Sequence, residues 1–263
     1  MAKTRVEPLP YPESHNLLKG KTVLVTAAAG TGIGFATAKR CAEEGARLFV
    51  SDVHERRLGE AVAKLSEVSA TPVGSRLCDV TKEDQVQALI AAAIAELGQV
   101  DVLINNAGLG GSAPVVEMTD DQWYRVIDVT LTSVFRMTRA ILPHMYARGS
   151  GAIVNNASVL GWRAQELQAH YAAAKAGVMA FTRCSAIEAA EKGIRINAVA
   201  PSIAMHEFLN KVTSSELLAE LSAREAFGRP AETWEIANVM VFLASDLASY
   251  MTGEIVSVSS QRA

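Results

Sequence analysis

The chain is predicted to fold as one α/β domain: a doubly wound parallel sheet with helices on both faces. Three observations predict it. Short β-rich runs alternate with longer helical patterns along the chain. Several of the runs are almost wholly apolar, as strands covered on both faces must be. A glycine-rich loop, "VTAAAGTGIG", follows the first run and opens the first helix.

In order, "TVLVT" (22–26) precedes a helix over 33–44, and "RLFVS" (47–51) precedes the helical "HERRLGEAVAKLSEV". "SRLCD" (75–79) leads into "TKEDQVQALIAAAIAEL", with Thr81 as the expected N-cap and acids in the first turn. "VDVLIN" (100–105) leads to a long helical region over about 120–146. "GAIVNNA" (151–157) precedes a helix carrying Tyr171, "IRINAVA" (194–200) follows it, and "EIVSV" (254–258) is the last strand. No linker or repeat divides the 263 residues: 1–20 reads as a loose lead-in and 21–263 as a single domain.

Composition narrows the function classes. Hydrophobic residues make up 49% and charged residues 20%, with a net charge of −3. That suits a buried globular core and offers no basic stripe for nucleic acid. The longest apolar run, "ALIAAAIA" from Ala88, is far short of the ~18 residues of a membrane span, and the polar start has no signal-peptide segment. A cytoplasmic protein without membrane contact is expected. Cys41, Cys78 and Cys184 read as buried thiols rather than a disulfide framework, and the five histidines lack metal-ligand spacing.

Gly30, Gly32 and Gly34 let the backbone turn tightly and approach a pyrophosphate at a helix N-terminus, making Ala28, Gly30, Thr31, Gly32, Ile33 and Gly34 candidate dinucleotide contacts. Asp52 follows 18 residues after Gly34, where a carboxylate accepts from ribose hydroxyls and repels a 2′-phosphate. NAD is therefore expected over NADP, although Arg56 and Arg57 could offset the repulsion. Tyr171 and Lys175 stand at i and i+4 on one helix face. A free phenol titrates near ~10, and a neighbouring ammonium is expected to lower that value and make it a usable proton carrier. The alternative is an ordinary lysine on a surface helix.

Taken together, "GTGIG", "CDVT" (78–81), "NNAG" (105–108), Ser158, Tyr171–Lys175 and "INAVAPS" (196–202) resemble the short-chain dehydrogenase/reductase family from Lys21 to about Val258. The resemblance implies a Rossmann-like fold and an NAD- or NADP-dependent oxidoreductase acting on a small-molecule secondary alcohol or ketone. It implies Ser158, Tyr171 and Lys175 as catalytic residues, with Ser158 holding the reacting oxygen and Lys175 also binding nicotinamide ribose. It places Asp79 and Val80 beside the adenine, Asn106, Ala107 and Gly108 along the cofactor, and Pro201 and Ala204 near the nicotinamide. Asp79 as a helix cap and "NNAG" as a plain strand-ending turn are the alternatives. It also implies a homotetramer, with helices at 120–146 and 170–192 in one contact.

More narrowly, "NNASVLGWRAQ", "HYAAAKAGVMAFTRCSAIEAAE" and "INAVAPSIA" are similar to actinobacterial members that degrade steroid C and D rings, acting on a bicyclic hydrindane acid carried as a CoA thioester. A 3-oxoacyl-thioester reductase using NADPH is the competing enzyme reading, and a catalytically weak dinucleotide-binding protein a third. Three positions depart from the family pattern. Thr130 replaces an asparagine that supports a water relay to the lysine; a hydroxyl there can still hold a water, in a relay that differs and runs slower. Pro201-Ser202 replaces Pro-Gly, with His206 where a threonine is usual, and "VSVSSQRA" replaces a glycine-rich ending.

Residues 203–227 carry an amphipathic stretch placed as a substrate lid. Leu109, Gly110, Gly111, Val159, Leu160, Trp162, Met205 and Phe208 are candidates for an apolar pocket, with Trp162 and Phe208 as plain core residues the alternative. Arg163 and Lys211 are candidate contacts for CoA phosphates.

Overall fold

A computed structural model describes residues 5–206, 209 and 215–260. Seven parallel strands form the main sheet: β1 (Thr22–Val25), β2 (Arg47–Asp52), β3 (Gly74–Leu77), β4 (Val102–Asn105), β5 (Gly151–Asn156), β6 (Ile194–Pro201) and β9 (Ile255–Val258). Their order is β3-β2-β1-β4-β5-β6-β9. The chain leaves β1 in one direction and resumes at β4 in the other, so a crevice opens at the carboxyl ends of β1 and β4. A small parallel pair, β7 (Ala204–Met205) and β8 (Ala231–Glu232), lies apart from the main sheet.

Strand side chains alternate between two cores. Val23 and Val25 of β1 enter one core and Leu24 the other; Val102 and Ile104 of β4 part from Leu103 in the same way. The first core is closed by α1 (Ile33–Glu43), α2 (Glu55–Ser66) and α8 (Thr233–Ala244). The second is closed by α3 (Glu83–Leu97), α5 (Ser133–Arg148) and part of α6 (Ala169–Ala190). Apolar runs with no polar face follow from this, because both faces are covered. At the edge β3 is an exception, with Ser75, Arg76 and Leu77 exposed.

The long helical region after β4 is three pieces. A capping box between Thr119 and Gln122 starts α4 (Asp120–Ile127), a π-turn covers Asp128–Thr132, and α5 continues to Gly149, which adopts φ 66° and stops the helix. Thr81 does not cap α3: Lys82 holds that position, and the Thr81 hydroxyl donates to Asp79 at 2.7 Å.

The described part of the lead-in is pinned rather than loose. Arg40 on α1 and Glu44 just past its end, both buried, form an ion pair. Arg40 donates to the carbonyls of Pro12 at 2.7 Å and Glu13 at 2.8 Å, and Glu44 accepts from the amides of His15 at 3.0 Å and Leu17 at 2.9 Å. Leu18 is fully buried, and Val6 pairs with the Phe227 carbonyl. A polar, proline-bearing segment gives no sign of this, because the donors and acceptors it needs lie on α1.

Of the lid region, Ile203–His206, Leu209 and 215–227 are described, and α7 (Ser215–Arg224) is helical as the amphipathic pattern requires. Phe208 and Lys211 lie outside the described residues. Cys41 and Cys78 are buried but Cys184 is exposed on α6, which corrects the expectation of three buried thiols. Among the described residues no helix is long and apolar enough to cross a membrane.

Candidate active site

The site is built on β5 and α6. The alanine-rich α6 buries Ala174, Lys175, Val178, Met179, Thr182, Ser185, Ala186 and Ala189, a repeating three-and-four spacing that lays one face on the sheet. A buried polar chain fixes its rotation. Asn105 on β4 donates to Asn155 Oδ1 at 2.9 Å, Asn155 donates to Thr182 Oγ1 at 2.9 Å, and Thr182 donates to the Val178 carbonyl at 2.8 Å. Lys175 lies seven residues before Thr182, two turns away on the same face. Its Nζ donates to the main-chain carbonyl of Asn156, the residue after Asn155.

Tyr171 lies one turn earlier, its ring centre 5.6 Å from Lys175 Nζ. Ser158, buried just past β5, hydrogen-bonds the Tyr171 phenol and accepts from the Leu160 amide at 3.2 Å. Serine, tyrosine and lysine thus meet at the carboxyl edge of the sheet. Burial shapes their electrostatics. It holds the Tyr171 phenol above its ordinary value, opposed by the Ser158 hydrogen bond. It pushes the Lys175 amine down to about 7. The expected lowering of the phenol by a neighbouring ammonium is therefore not found: desolvation disfavours both charged forms, so each favours neutrality.

Thr130 is buried in the π-turn, and its hydroxyl is already engaged. It donates to the Leu109 carbonyl and accepts from the Leu109 amide, both at 3.0 Å. The hydroxyl clamps the loop after β4, with its proton committed and one acceptor position left to hold a water. A Cβ placed on Gly108 would lie 3.5 Å from Lys175 Nζ and 3.9 Å from Thr130 Oγ1, which puts the three together.

At the other side of the crevice, the glycine-rich loop leaves β1 with Ala28 fully buried and its amide donating to the Ser51 carbonyl at 3.0 Å. Gly30 turns at φ 88°, Thr31 is exposed, and Gly32 precedes α1 with Ile33 as its first residue. Gly34 is fixed by contact: a Cβ there would lie 2.3 Å from both the Ala27 carbonyl oxygen and Asn106 Nδ2. Asp52 ends β2 almost fully buried, accepting from the amides of Ala29 at 3.2 Å and His54 at 3.0 Å. Burial holds its carboxyl above the ordinary value, against hydrogen bonds from Ala29 and Val53 and the nearby Arg57 charge.

Asp79 caps its own turn through the Thr81 amide and hydroxyl, with Val80 buried beside it. Asn106 and Ala107 are tied to Thr26 Oγ1 through their amides, at 3.0 and 3.3 Å. Pro201 ends β6, and Ala204 is buried in β7. His206 is half-buried, accepting from the Leu209 amide at 3.3 Å, and burial lowers its imidazole. Leu109, Val159, Leu160 and Met205 are at least half-buried, whereas Gly110, Gly111 and Trp162 are exposed, so Trp162 is no core residue.

These residues suit a dinucleotide. Among the described residues, a Cβ on Gly30 or Gly32 would meet nothing within 4 Å, and no side chain caps the amides that begin α1. Near Lys175, Asn156 Oδ1 is buried with no hydrogen-bond partner among the described residues.

A switch-point crevice with a glycine loop on one side and a Ser–Tyr–Lys cluster on the other defines a dehydrogenase or reductase, and this chain belongs to the short-chain dehydrogenase/reductase family. Residues 27–260 match the family described as enoyl-(acyl carrier protein) reductase. The chain is an oxidoreductase, and its family uses NAD or NADP. It is 64% identical over 248 residues to the (5R,7aS)-5-hydroxy-7a-methyl-1-oxo-2,3,5,6,7,7a-hexahydro-1H-indene-carboxyl-CoA reductase of Mycobacterium tuberculosis, covering 94% of this chain and 95% of that one. It is 37% identical to the 3-oxoacyl-[acyl-carrier-protein] reductase of Thermotoga maritima, over 92% of this chain and 97% of that one. A crystal structure of a short-chain dehydrogenase from Mycobacterium smegmatis superposes with a TM-score of 0.88 at 57% identity, covering 98% of this chain and 99% of that one.

Proposed function

We propose that this protein is an NAD(H)-dependent oxidoreductase for a hydroxyl or ketone on a bicyclic, hydrindane-type acid carried as a CoA thioester. The observation that carries the substrate is the 64% identity, over nearly the whole chain, to a reductase whose name specifies an indene-carboxyl-CoA. Val159 and Leu160, the apolar residues that directly follow Ser158 in the chain, suit a fused carbocycle better than a sugar or a short acid.

The nicotinamide, when bound, supplies or accepts the hydride. Ser158 holds the reacting oxygen, and Tyr171 gives it a proton in reduction or takes one in oxidation. The neutral phenol that burial favours is the form needed to donate to a ketone. Lys175 steadies the nicotinamide ribose and stabilises a phenolate when charged. Thr130 acts as a positioning residue, holding Leu109 and hence Gly108 against Lys175. Ala28, Gly30, Thr31, Gly32, Ile33 and Gly34 take the pyrophosphate side. Asp79 and Val80 take the adenine, Asn106, Ala107 and Gly108 the middle, and Pro201 and Ala204 the nicotinamide end. Asp52 supports NAD over NADP, since its buried carboxyl would oppose a 2′-phosphate.

Assembly as a cytoplasmic homotetramer completes the reading. Phe135 on α5 and Phe181 on α6 meet edge-to-face at 6.3 Å, and Ile187 of α6 is 75% exposed, which supports these helices as a subunit contact. Tyr171→Phe should cut turnover by at least ~10³-fold while dinucleotide binding persists. A fully active variant overturns the assignment. Linear 3-oxoacyl thioesters are the rival substrates, supported by the Thermotoga relative. Turnover of these with NADPH, and none of bicyclic CoA thioesters with NADH, would replace the proposed substrate.

A further inference from the structure

Asn156 ends β5 two residues before Ser158, and nothing in the sequence pattern singles it out. Its main-chain carbonyl takes the Lys175 hydrogen bond. Its side chain belongs to a chain of amides whose direction is fixed. The Ala27 carbonyl can only accept, so Asn106 must present Nδ2 to it, at 3.0 Å. That leaves Asn106 Oδ1 to accept from Asn156 Nδ2, at 2.9 Å. Asn156 Oδ1 is thereby the end of the chain: buried, and without a donor among the described residues.

A buried acceptor with no donor is costly, and the few found in folded proteins call for an explanation. This one has a fixed orientation, spans from the glycine-rich loop to the Lys175 anchor, and lies between the two halves of the site. We propose that Asn156 Oδ1 accepts a hydrogen bond from the nicotinamide riboside half of the bound dinucleotide. The donor is either the carboxamide N–H or a ribose hydroxyl. This inference rests on the dinucleotide reading above and adds a binding residue to it. Asn156 then has two tasks, holding Lys175 through its main chain and the cofactor through its side chain.

The test is equilibrium binding by protein fluorescence to the full chain, wild type and Asn156→Leu, with NAD, its 3-acetylpyridine analogue and ADP. Wild type must bind NAD; if it does not, the dinucleotide reading itself fails and this inference with it. With wild-type binding in hand, Asn156→Leu should bind NAD roughly three- to tenfold more weakly and ADP unchanged. A loss for NAD that vanishes with the analogue assigns the carboxamide; an equal loss for both assigns the ribose. NAD affinity equal to wild type overturns the inference, and so does a uniform loss that includes ADP, which marks a purely structural role. Should the leucine variant fail to fold, Asn156→Ala carries the same comparison, with its thermal melt and ADP affinity as the folding controls.

Discussion

Asp52 Oδ2 accepts from the Ala29 amide at 3.2 Å, so the end of β2 is fastened directly to the loop that follows β1. One carboxylate therefore shapes the glycine-rich turn, and on the proposed reading it also meets the adenosine ribose. Asp52→Asn keeps an acceptor but removes the charge. The preference for NADH over NADPH should fall by about tenfold or more, which parallel binding titrations with the two nucleotides will measure. An unchanged ratio would show that the carboxylate has no part in the choice.

Ser158 shares its hydroxyl between the Leu160 amide and the Tyr171 phenol. Ser158→Ala should lower kcat by about 10²- to 10³-fold with little change in dinucleotide affinity, since on the proposed reading Ser158 holds the reacting oxygen and not the cofactor. Steady-state kinetics beside binding titrations separate the two effects.

Lys175 gives a pH signature in stability. Its amine sits at about 7 in the folded protein against an ordinary 10.5, so between these values the unfolded chain carries a proton that the folded chain lacks. Stability should therefore rise with pH from about 7 to about 10.5, and the full burial penalty should be present below pH ~7. Lys175→Met should remove that rise, a contribution on the order of a few kcal/mol. Thermal melts of dinucleotide-free protein across this range test it, and parallel curves for the two proteins would contradict it.

Glu44 is fully buried and answers both Arg40 and two lead-in amides. Glu44→Ala leaves the buried Arg40 guanidinium with only the longer ion pair to Glu43 at 3.7 Å, at a cost of up to about 3–5 kcal/mol. Urea denaturation should report that loss, and limited proteolysis should cut the released segment before residue 18 sooner than in wild type.

Local signals make the sheet, its order of elements and the meeting of Ser158, Tyr171 and Lys175 readable in the sequence. The i, i+4 spacing of Tyr171 and Lys175 and the glycine loop are short-range patterns with one physical meaning each. Contacts between distant segments were not readable. The Asn105–Asn155–Thr182 chain joins three elements, and neither its direction nor its burial follows from residue type. The same holds for Thr130, whose paired hydrogen bonds to Leu109 join the π-turn to the loop after β4. The phenol's direction of shift is not legible either, because spacing shows that Lys175 is near but not that burial suppresses its charge. Asn156 carries no motif, and only the fixed orientation of Asn106 exposes its unanswered oxygen.

The π-turn at Asp128–Thr132 has a consequence for variants in length. A π-turn holds one residue more than the α-turn it replaces, so deleting one residue here would let the helix close regularly with α5 nearly in phase with α4, whereas inserting one would swing α5 by about 100°. Such an insertion would carry Met137, Ile141 and Met145 out of the core. A one-residue deletion should instead cost the Thr130–Leu109 clamp and spare the packing of α5, a separation that an unbroken α-helix would not permit.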